Sequence, residues 1–425
     1  MKGIERQGRI YLDGVSGHTP RVPVDVRKLE RAAKRAMSRE AYAYVAAGAG
    51  AGRTLEANRG AFDRVRIVPR MLRDVSTRDS SVELFGRRLE SPFMLAPIGV
   101  LELAHREADR AVARAAAKEN VPMVISNQAS TPMEEIAAEL GETPRWFQLY
   151  WSSSDELVES LVSRAEAIGA EAIAVTLDTT ILGWRTRDLE IAYLPFLRGM
   201  GIAQYTSDPV FRAMLDEPPP ADGDDDLTRE QPKPNLRALG TLMSVLRHWP
   251  GGALEGLRSG HARAAVERFT QIYSRPSLRW EDLPFLRDRT ELPILLKGIL
   301  HPDDARRAVD EGIDGIVVSN HGGRQVDGSI ATFEALPAIA GAVDGRIPIL
   351  LDSGIRGGAD AFKAIALGAT AVLVGRPFVY GLAVAGERGV REVLQNLIGE
   401  FDLTMGLAGC TSVSEIGPET VTRIE

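Results

Sequence analysis

Cysteine, histidine and excess positive charge are all scarce in this sequence. Cys410 is the single cysteine among 425 residues, which excludes an internal disulfide. The six histidines are scattered and do not follow the spacing of zinc ligands. The formal charge of −7 lacks the basic footprint of a nucleic-acid-binding protein. These absences predict a chain without disulfide, metal site or nucleic-acid partner.

Long apolar runs are also scarce. The most apolar stretch, residues 364–386, contains Arg376 and Pro377, which predicts a core strand and its exit loop instead of a membrane span. Residues 1–14 lack the apolar centre of a secretion signal. Together with the single cysteine, which fits a reducing compartment, these features predict a cytoplasmic protein with no membrane partner.

The sequence does contain eight short apolar runs, each followed by an amphipathic segment. The runs cover residues 93–98, 123–127, 145–150, 172–178, 293–298, 315–320, 348–353 and 371–375. Continuous apolar strands indicate a parallel sheet that is buried on both faces. Eight such units with right-handed crossovers predict a (β/α)8 TIM barrel of the α/β class. A doubly wound open sheet is the structural alternative.

The spacing of the runs is uneven at one place. Successive runs start 22 to 33 residues apart, but the fourth and fifth start at residues 172 and 293. The loop after the fourth strand therefore carries an insertion, about residues 188–275, which includes an acidic, proline-rich piece at 217–226. Such a loop lies on the catalytic face of a barrel, so we expect a lid; a tolerated surface insertion is the alternative. Residues 1–90 predict an extension of helices and a short hairpin that packs on the barrel, residues 91–425.

Polar side chains follow the runs, at the rim where the carboxyl ends of barrel strands meet. His321 and Arg324 follow the sixth run and are separated by two glycines. Histidine can transfer a proton near neutral pH, and arginine offers a planar fork to a carboxylate. This motif predicts a base beside an anion-binding group, although taken alone it also fits a surface turn.

Glycines and arginines follow the last two strands. Gly354 and Arg356 come after the seventh run, and Gly375 and Arg376 come after the eighth. Backbone N–H groups and helix N-termini at these places form the usual phosphate site of a barrel. We therefore predict a ligand that carries a phosphate; the alternative is that the glycines serve only tight turns.

Charged residues at the other strand ends have several interpretations. Lys297 could stabilise negative charge on a bound ring, form a Schiff base, or belong to a structural ion pair. Asp178 could pair with His321 and stabilise its imidazolium. Arg185 and Arg324 could hold a carboxylate from two sides.

Two tyrosines complete the candidates. Tyr150 ends the third run and could form a hydrogen bond with a hydroxyl or oxo group of a substrate. Tyr44 could do the same, but the periodicity of residues 41–47 favours core packing of a helix.

Taken together, these motifs resemble the FMN-dependent L-2-hydroxy-acid oxidase/dehydrogenase family, from about residue 42 to residue 410. The motifs that carry the resemblance are residues 96–99, 148–150, 176–179, 296–298, 319–325, 352–356 and 375–377. Residues 183–188, 195–199 and 207–211 are most similar to the lactate 2-monooxygenase and lactate oxidase branch. The resemblance implies oxidation of a lactate-like L-2-hydroxy acid to the 2-oxo acid, with oxygen as the acceptor, by an oxidase or by a monooxygenase that also decarboxylates the product.

The resemblance also implies a role for each candidate residue. His321 would be the base, and Asp178 would support it. Tyr150 and Tyr44 would bind the substrate's oxygen, and Arg324 and Arg185 would bind its carboxylate. The FMN site would consist of Pro97, Ile98, Gly99, Ser126, Gln148, Thr176, Lys297, Ser319, Asp352, Gly354, Arg356, Gly375 and Arg376. Lys297 would stabilise the anionic reduced flavin. Further copies of the chain would complete a tetramer or an octamer.

The sequence departs from the family pattern in three ways. Gln128 stands where glycolate oxidases have tryptophan, and Gly99 replaces the alanine of many oxidases, which is expected to enlarge the space near the flavin. The insertion after Asp188 is longer than is usual. Two other functions are compatible with the residues: a phosphate-binding barrel lyase or isomerase that uses Lys297 covalently, and a flavin dehydrogenase that acts on a larger or peptide-derived substrate.

Overall fold

The computed structural model describes residues 3–217 and 235–424. Its central strands are β1 Phe93–Leu95, β2 Met123–Ile125, β3 Arg145–Leu149, β4 Ile173–Thr176, β5 Ile294–Ile299, β6 Gly315–Val318, β7 Ile349–Leu351 and β8 Ala371–Val374. They form a closed parallel barrel in which each strand pairs with its neighbours in sequence. The barrel closes where β8 pairs with β1 and Val372 lies opposite Phe93. The predicted TIM barrel is confirmed.

Burial on both sides of the barrel wall explains the continuous apolar runs. Successive side chains of a strand point to opposite faces. Leu295 and Val317 belong to a cluster inside the barrel. Their neighbours Leu296 and Ile316 belong to the larger core between the strands and the surrounding helices. Neither face of these strands meets water, so neither favours polar residues.

The helices follow the alternating pattern of the fold. Those before the barrel are Gly3–Val15, Val26–Ala36, Arg39–Ala46 and Arg53–Asp63. Those that follow barrel strands outside the insertion are Ala108–Glu119, Met133–Leu140, Asp155–Ala167, Leu283–Arg287, Pro302–Asp310, Thr332–Val343, Gly358–Ala366 and Arg376–Leu407. Short 3-10 turns include Leu101–Leu103, Pro195–Arg198 and His321–Gly323.

One expectation from the sequence is wrong: no exit loop follows β8. A single residue, Gly375, separates the strand from the helix Arg376–Leu407. Pro377 lies in the first turn of that helix, where its missing N–H leaves no helical hydrogen bond unmade, so the proline marks a helix start. Within the described ranges, no helix combines the length and the apolar character needed to cross a bilayer.

A hairpin before the barrel, Val82–Leu84 paired with Arg87–Leu89, covers one end of it. Leu84 and Leu89 join the cluster inside the barrel, and the Phe85 ring lies 5.6 Å from the ring of Trp146 near the start of β3. This end carries the amino termini of the strands. The opposite end, with the carboxyl termini, is the one that opens into a cavity.

The segment between β4 and β5 contains the helices Thr186–Glu190, Ala203–Thr206, Pro209–Ala213, Leu236–His248, Ala253–Ser259 and His261–Ile272. Its side chains Leu194, Phe196 and Phe269 line the cavity at the carboxyl end of the barrel. Apart from Glu217, the acidic piece at 217–226 lies outside the described residues. The described part of the insertion thus forms one wall of the cavity.

Candidate active site

A cavity of about 1040 Å³ opens at the carboxyl end of the barrel, a volume sufficient for a cofactor and a small substrate. Most of the residues predicted for the site line it directly: Tyr44, Pro97, Ile98, Gly99, Ser126, Gln148, Tyr150, Arg185, Lys297, His321, Arg324, Asp352, Gly354, Arg356, Gly375 and Arg376. Thr176, Asp178 and Ser319 lie behind this lining and form hydrogen bonds with it. The structure therefore brings the whole predicted set together.

His321 and Asp178 form the pair that the sequence suggested. The Nδ1 atom of His321 lies 2.8 Å from the Oδ1 atom of Asp178 and 3.1 Å from the Thr179 hydroxyl. The charge of Lys297 and the hydrogen bond from His321 overcome the effect of burial and lower the pKa of Asp178, so this side chain is a carboxylate. A carboxylate only accepts, so Nδ1 carries the proton and the free Nε2 atom is the basic position.

Burial sets the charge of the histidine itself. Burial and the positive charges of Lys297 and Arg185 together lower the pKa of His321, although the Asp178 carboxylate raises it. His321 is therefore neutral at neutral pH and able to accept a proton. The proton it accepts would produce an imidazolium that faces Asp178 directly.

The turn that carries His321 is held in an unusual conformation. His321, Gly322 and Gly323 have φ angles of +56°, +66° and +75°, a region that favours glycine. A Cβ atom on Gly323 would lie 2.7 Å from the backbone nitrogen of Leu55, so no larger residue fits there. The Asn320 side chain accepts a hydrogen bond from the Gly323 N–H at 3.1 Å and fixes the turn. A strained histidine held by its surroundings is typical of functional sites.

Lys297 lies between two carboxylates in the barrel wall. Its Nζ atom is 3.4 Å from Asp178, 3.6 Å from Asp352 and 3.0 Å from the Ser319 hydroxyl. Burial alone would lower the pKa of Lys297, but the two carboxylates raise it above its ordinary value. The amine thus stays protonated. A protonated amine is a poor nucleophile, which disfavours the Schiff-base interpretation.

Arg185 and Arg324 form a pair of cations around one aromatic ring. Their guanidinium carbons lie 6.0 Å and 4.9 Å from the ring centre of Tyr44. Arg324 donates to the backbone carbonyls of Tyr44 and Ala47, and Arg185 donates to the Gln325 side chain at 3.3 Å. Burial, followed by the charge of Arg185, lowers the pKa of Arg324 to about 9. Neither arginine has an ion-pair partner in the described part of the chain, so the pair forms a site for an anion.

A second pair of cations, Arg356 and Arg376, lines the same cavity, and Arg376 lies beside the first pair because it shares the Ala47 carbonyl with Arg324. Arg376 donates to the carbonyls of Val45, Ala47 and Gly322 at 2.9–3.0 Å, which fixes its side chain without neutralising it. Burial and the nearby Arg376 lower the pKa of Arg356 to about 10. Among residues 3–217 and 235–424, no carboxylate forms an ion pair with either one. The helix Arg376–Leu407 also begins here, so this part of the cavity, its phosphate end, fits a phosphate dianion.

Polar side chains of the cavity also link three adjacent strands, β2, β3 and β4. The Ser126 hydroxyl donates to the Gln148 side chain at 3.1 Å, and the Gln148 amide donates to the Thr176 hydroxyl at 2.9 Å. These groups can exchange hydrogen bonds with the edge of a planar heteroaromatic ring. The donor set, the phosphate end and the protonated lysine together fit FMN.

The structure corrects the interpretation of Gly99. A Cβ atom at this position would lie 2.9 Å from both the Cβ atom and the backbone oxygen of Gln128. The glycine therefore lets the backbone of residue 128 approach closely and does not enlarge the open space.

Sequence reasoning missed the groups that support the arginines and the apolar wall. Gln325 holds Arg185 and donates to the carbonyls of Asp178 and Ile181 at 2.7 and 2.9 Å. Gln325 belongs to the motif at 319–325, but its partners are distant in sequence. The wall residue Phe269 lies about a hundred residues after the strand that it faces, and no local pattern indicates such a contact.

Comparisons with known proteins assign the chain to a family. The profile of the FMN-dependent dehydrogenase family matches residues 33–423. An L-lactate oxidase of Lysinibacillus sphaericus is 40% identical over 418 residues, which cover 98% of this chain and 97% of that protein. A 4-hydroxymandelate oxidase of Amycolatopsis orientalis is 39% identical and covers 92% of this chain and 96% of its own length. A solved structure of mandelate oxidase with (S)-4-hydroxymandelic acid has a TM-score of 0.76 at 38% identity and covers 94% of this chain and 98% of that one.

Proposed function

The chain belongs to the FMN-dependent dehydrogenase family, and we propose that it oxidises an L-2-hydroxy acid with His321 as the base and oxygen as the final acceptor. It is an FMN-dependent enzyme of 2-hydroxy-acid oxidation, and the product is the 2-oxo acid. One observation carries the assignment of roles. The basic Nε2 atom of His321, the arginine pair and the phosphate end belong to a single cavity.

The proposed FMN site follows the order of groups along the cavity. Arg356 and Arg376, with the backbone of Gly354 and Gly375, would hold the phosphate. The ring system would lie along Pro97, Ile98, Gly99, Ser126, Gln148, Thr176, Lys297 and Ser319, with Asp352 orienting the lysine. FMN, when bound, supplies an acceptor for the two electrons that leave the substrate. The raised pKa of Lys297 keeps a positive charge in place where such electron uptake requires one.

The substrate would be bound by its carboxylate and its oxygen. Arg185 and Arg324 offer two forks to the carboxylate. Burial, followed by the charge of Asp178, raises the pKa of Tyr150, so its hydroxyl stays protonated and can donate to the substrate's oxygen. Tyr44 lies beneath both arginines and would contribute its own hydroxyl. In this arrangement His321 takes one proton from the hydroxy acid while the arginines fix the reacting carbon beside it.

The apolar wall bears on the size of the substrate. Leu194, Phe196 and Phe269 come from the insertion and supply apolar lining to the same cavity. The side chain of the hydroxy acid would pack against this wall. Each further methylene that it buries contributes about 0.8 kcal/mol to binding. We therefore expect 2-hydroxy acids with large apolar side chains to have a higher kcat/KM than L-lactate.

The proposal also includes the electron acceptor, the oligomeric state and the cellular compartment. Oxygen is favoured because relatives called oxidases match nearly the whole chain. A homo-oligomer, as a tetramer or an octamer, is supported by the exposed apolar side chains Tyr11, Leu12 and Val15 on the first helix, which an interface would cover. A cytoplasmic location is consistent with the single, buried thiol of Cys410.

An anaerobic titration tests the function. FMN-loaded protein is mixed without oxygen with L-lactate, L-3-phenyllactate and the matching D-acid, and flavin absorbance is followed. We expect both L-acids to bleach the flavin, the D-acid to leave it unchanged, and admitted oxygen to restore the absorbance. A colourless protein, or a flavin that no 2-hydroxy acid reduces, would refute the proposal. A bleached flavin that oxygen does not reoxidise would refute the acceptor alone.

A further inference from the structure

An ion pair outside the catalytic group joins the insertion to the rim of the barrel. Its barrel partner, Glu102, lies in the turn Leu101–Leu103 after β1, close to the cavity residue Gly99. The Val100 N–H donates to the Gln128 carbonyl at 2.9 Å, and the Glu102 N–H donates to the Ser130 hydroxyl at 3.2 Å. The backbone that carries Glu102 is therefore fixed to the barrel.

The Glu102 carboxylate contacts two separate parts of the insertion. Its Oε2 atom lies 2.6 Å from the Nε2 atom of His248, and its Oε1 atom accepts from the Gly201 N–H at 3.2 Å. The side chains of Glu102 and His248 are largely buried, with 17% and 26% of their surfaces exposed, respectively. A partly buried charged pair is screened less than a surface pair, so this contact can hold the insertion measurably.

The geometry requires the charged form of the histidine. The Nδ1 atom of His248 lies 2.7 Å from the Ser244 carbonyl oxygen, so both ring nitrogens face acceptors and both must donate. The Glu102 hydrogen bond outweighs burial and raises the pKa of His248. The other charged or titratable groups nearby are Arg247 on the same helix, and Asp109 and Tyr193, which face Glu102.

A chain of contacts leads from His248 to the cavity. Its helix, Leu236–His248, packs on the turn Pro195–Arg198, where the Ser244 hydroxyl donates to the Arg198 carbonyl at 2.9 Å. Phe196 lies on that turn, lines the cavity and packs on Phe269 with ring centres 5.2 Å apart. A shift of the helix would therefore move one side of the apolar wall.

We infer that Glu102 and His248 form a latch, a pair of positioning residues that holds Phe196 in the wall facing the substrate's side chain. This inference rests on the proposed function, because it assigns that wall to the substrate. The latch is closed while His248 is charged. The pKa of His248 is raised in the folded protein. The stabilisation that the charged pair gives to the insertion is therefore fully present below the ordinary histidine pKa, and it is lost as pH rises through the raised value. The wall should loosen on the alkaline side.

The kinetic test compares His248→Gln with His261→Gln. His261 belongs to the same insertion and pairs with the exposed Asp216 at 3.0 Å, and neither residue has a hydrogen bond with Glu102. For L-3-phenyllactate, we expect His248→Gln to raise KM about three- to tenfold at pH 6, with kcat nearly unchanged. For glycolate, which has no side chain to meet the wall, KM should stay within about twofold. His261→Gln should match the wild type with both substrates.

The pH profile separates positioning from a general loss of structure. In the wild type, KM for L-3-phenyllactate should rise at alkaline pH until it equals the KM of His248→Gln. The KM of His248→Gln itself should change far less with pH. His248→Lys keeps a cation at this position and should hold KM low to higher pH than the wild type. Equal changes with glycolate and phenyllactate, or a His248→Gln profile parallel to that of the wild type, would overturn the inference.

A second readout does not depend on catalysis. Hydrogen exchange of the FMN-loaded protein without substrate should be faster in residues 195–206 and 236–248 of His248→Gln than in wild type or His261→Gln. Unchanged protection there would overturn the latch even if the enzyme is active. If the protein oxidises no hydroxy acid but the protection is lost as expected, the proposed function fails and the latch between the insertion and the barrel stands.

Discussion

Replacing Asp178 with asparagine isolates the electrostatic support of the proposed base. The carboxylate accepts from His321 Nδ1 at 2.8 Å and lies 3.4 Å from Lys297. Asparagine keeps the size and one acceptor oxygen but removes the charge. The imidazolium that forms when His321 takes a proton then loses its counter-ion.

The expected loss of kcat/KM follows from the strength of the charge-assisted hydrogen bond between His321 and Asp178. A bond between a charged donor and a carboxylate contributes about 1.5–3 kcal/mol. Because this charge is present only after proton transfer, its loss raises the barrier and lowers kcat/KM about 10- to 150-fold. The Asp178 charge also raises the pKa of His321 against burial, so its removal lowers that pKa further. The acidic limb of kcat/KM, which reports the free base, should move to lower pH.

The assay is steady-state oxidation of an L-2-hydroxy acid across pH, with FMN content measured for each preparation. Asp352→Asn is the matched control: it removes the other carboxylate beside Lys297, at 3.6 Å, but has no contact with His321. The control should leave the acidic limb where it is in the wild type. Two results for Asp178→Asn would refute the proposed support of His321 by Asp178. One is a plateau value of kcat/KM within threefold of the wild type, and the other is an acidic limb of kcat/KM that moves to higher pH.

Three further predictions concern the anion sites and stability. Arg324→Lys should raise KM for the hydroxy acid about 10- to 100-fold in initial-rate assays, because an ammonium cannot replace a planar fork; the exposed Arg187→Lys should not change it. Arg356→Ala should weaken FMN binding about 10- to 100-fold by fluorescence titration but leave riboflavin, which has no phosphate, unaffected; equal losses would contradict a phosphate contact. Arg78 forms two hydrogen bonds with Asp402, at 2.9 and 2.8 Å, and both side chains are only 8% exposed. In urea unfolding, Arg78→Ala should lose about 3–5 kcal/mol, whereas Arg88→Ala, which breaks an exposed pair with Asp79, should lose at most about 1 kcal/mol.

The barrel and the charged rim could be predicted because their causes are local. A strand buried on both faces has to be apolar throughout, and a parallel barrel brings the residues after its strands to one end. His321 and Arg376 each follow directly on an apolar run, and Lys297 lies within the carboxyl-terminal half of one, so their common location follows from the topology alone.

The remaining features depend on contacts that are distant in sequence. Phe196 and Phe269 reach the cavity only because the insertion folds back over the barrel, and their local patterns indicate nothing beyond amphipathic helices or turns. The role of Gly99 could not be deduced without the position of Gln128, which fills the space a larger residue would occupy. The start of the helix after β8 was placed too late because an arginine and a proline were interpreted as loop residues.

Rapid anaerobic mixing of FMN-loaded wild type and His321→Gln with L-3-phenyllactate tests the central claim most directly. Glutamine keeps a polar side chain at this position but cannot accept a proton at neutral pH. If His321 is the base, both proteins retain FMN, and flavin reduction in the variant is slower by about 10²- to 10⁴-fold. Reduction of His321→Gln within a few-fold of the wild-type rate would contradict the account.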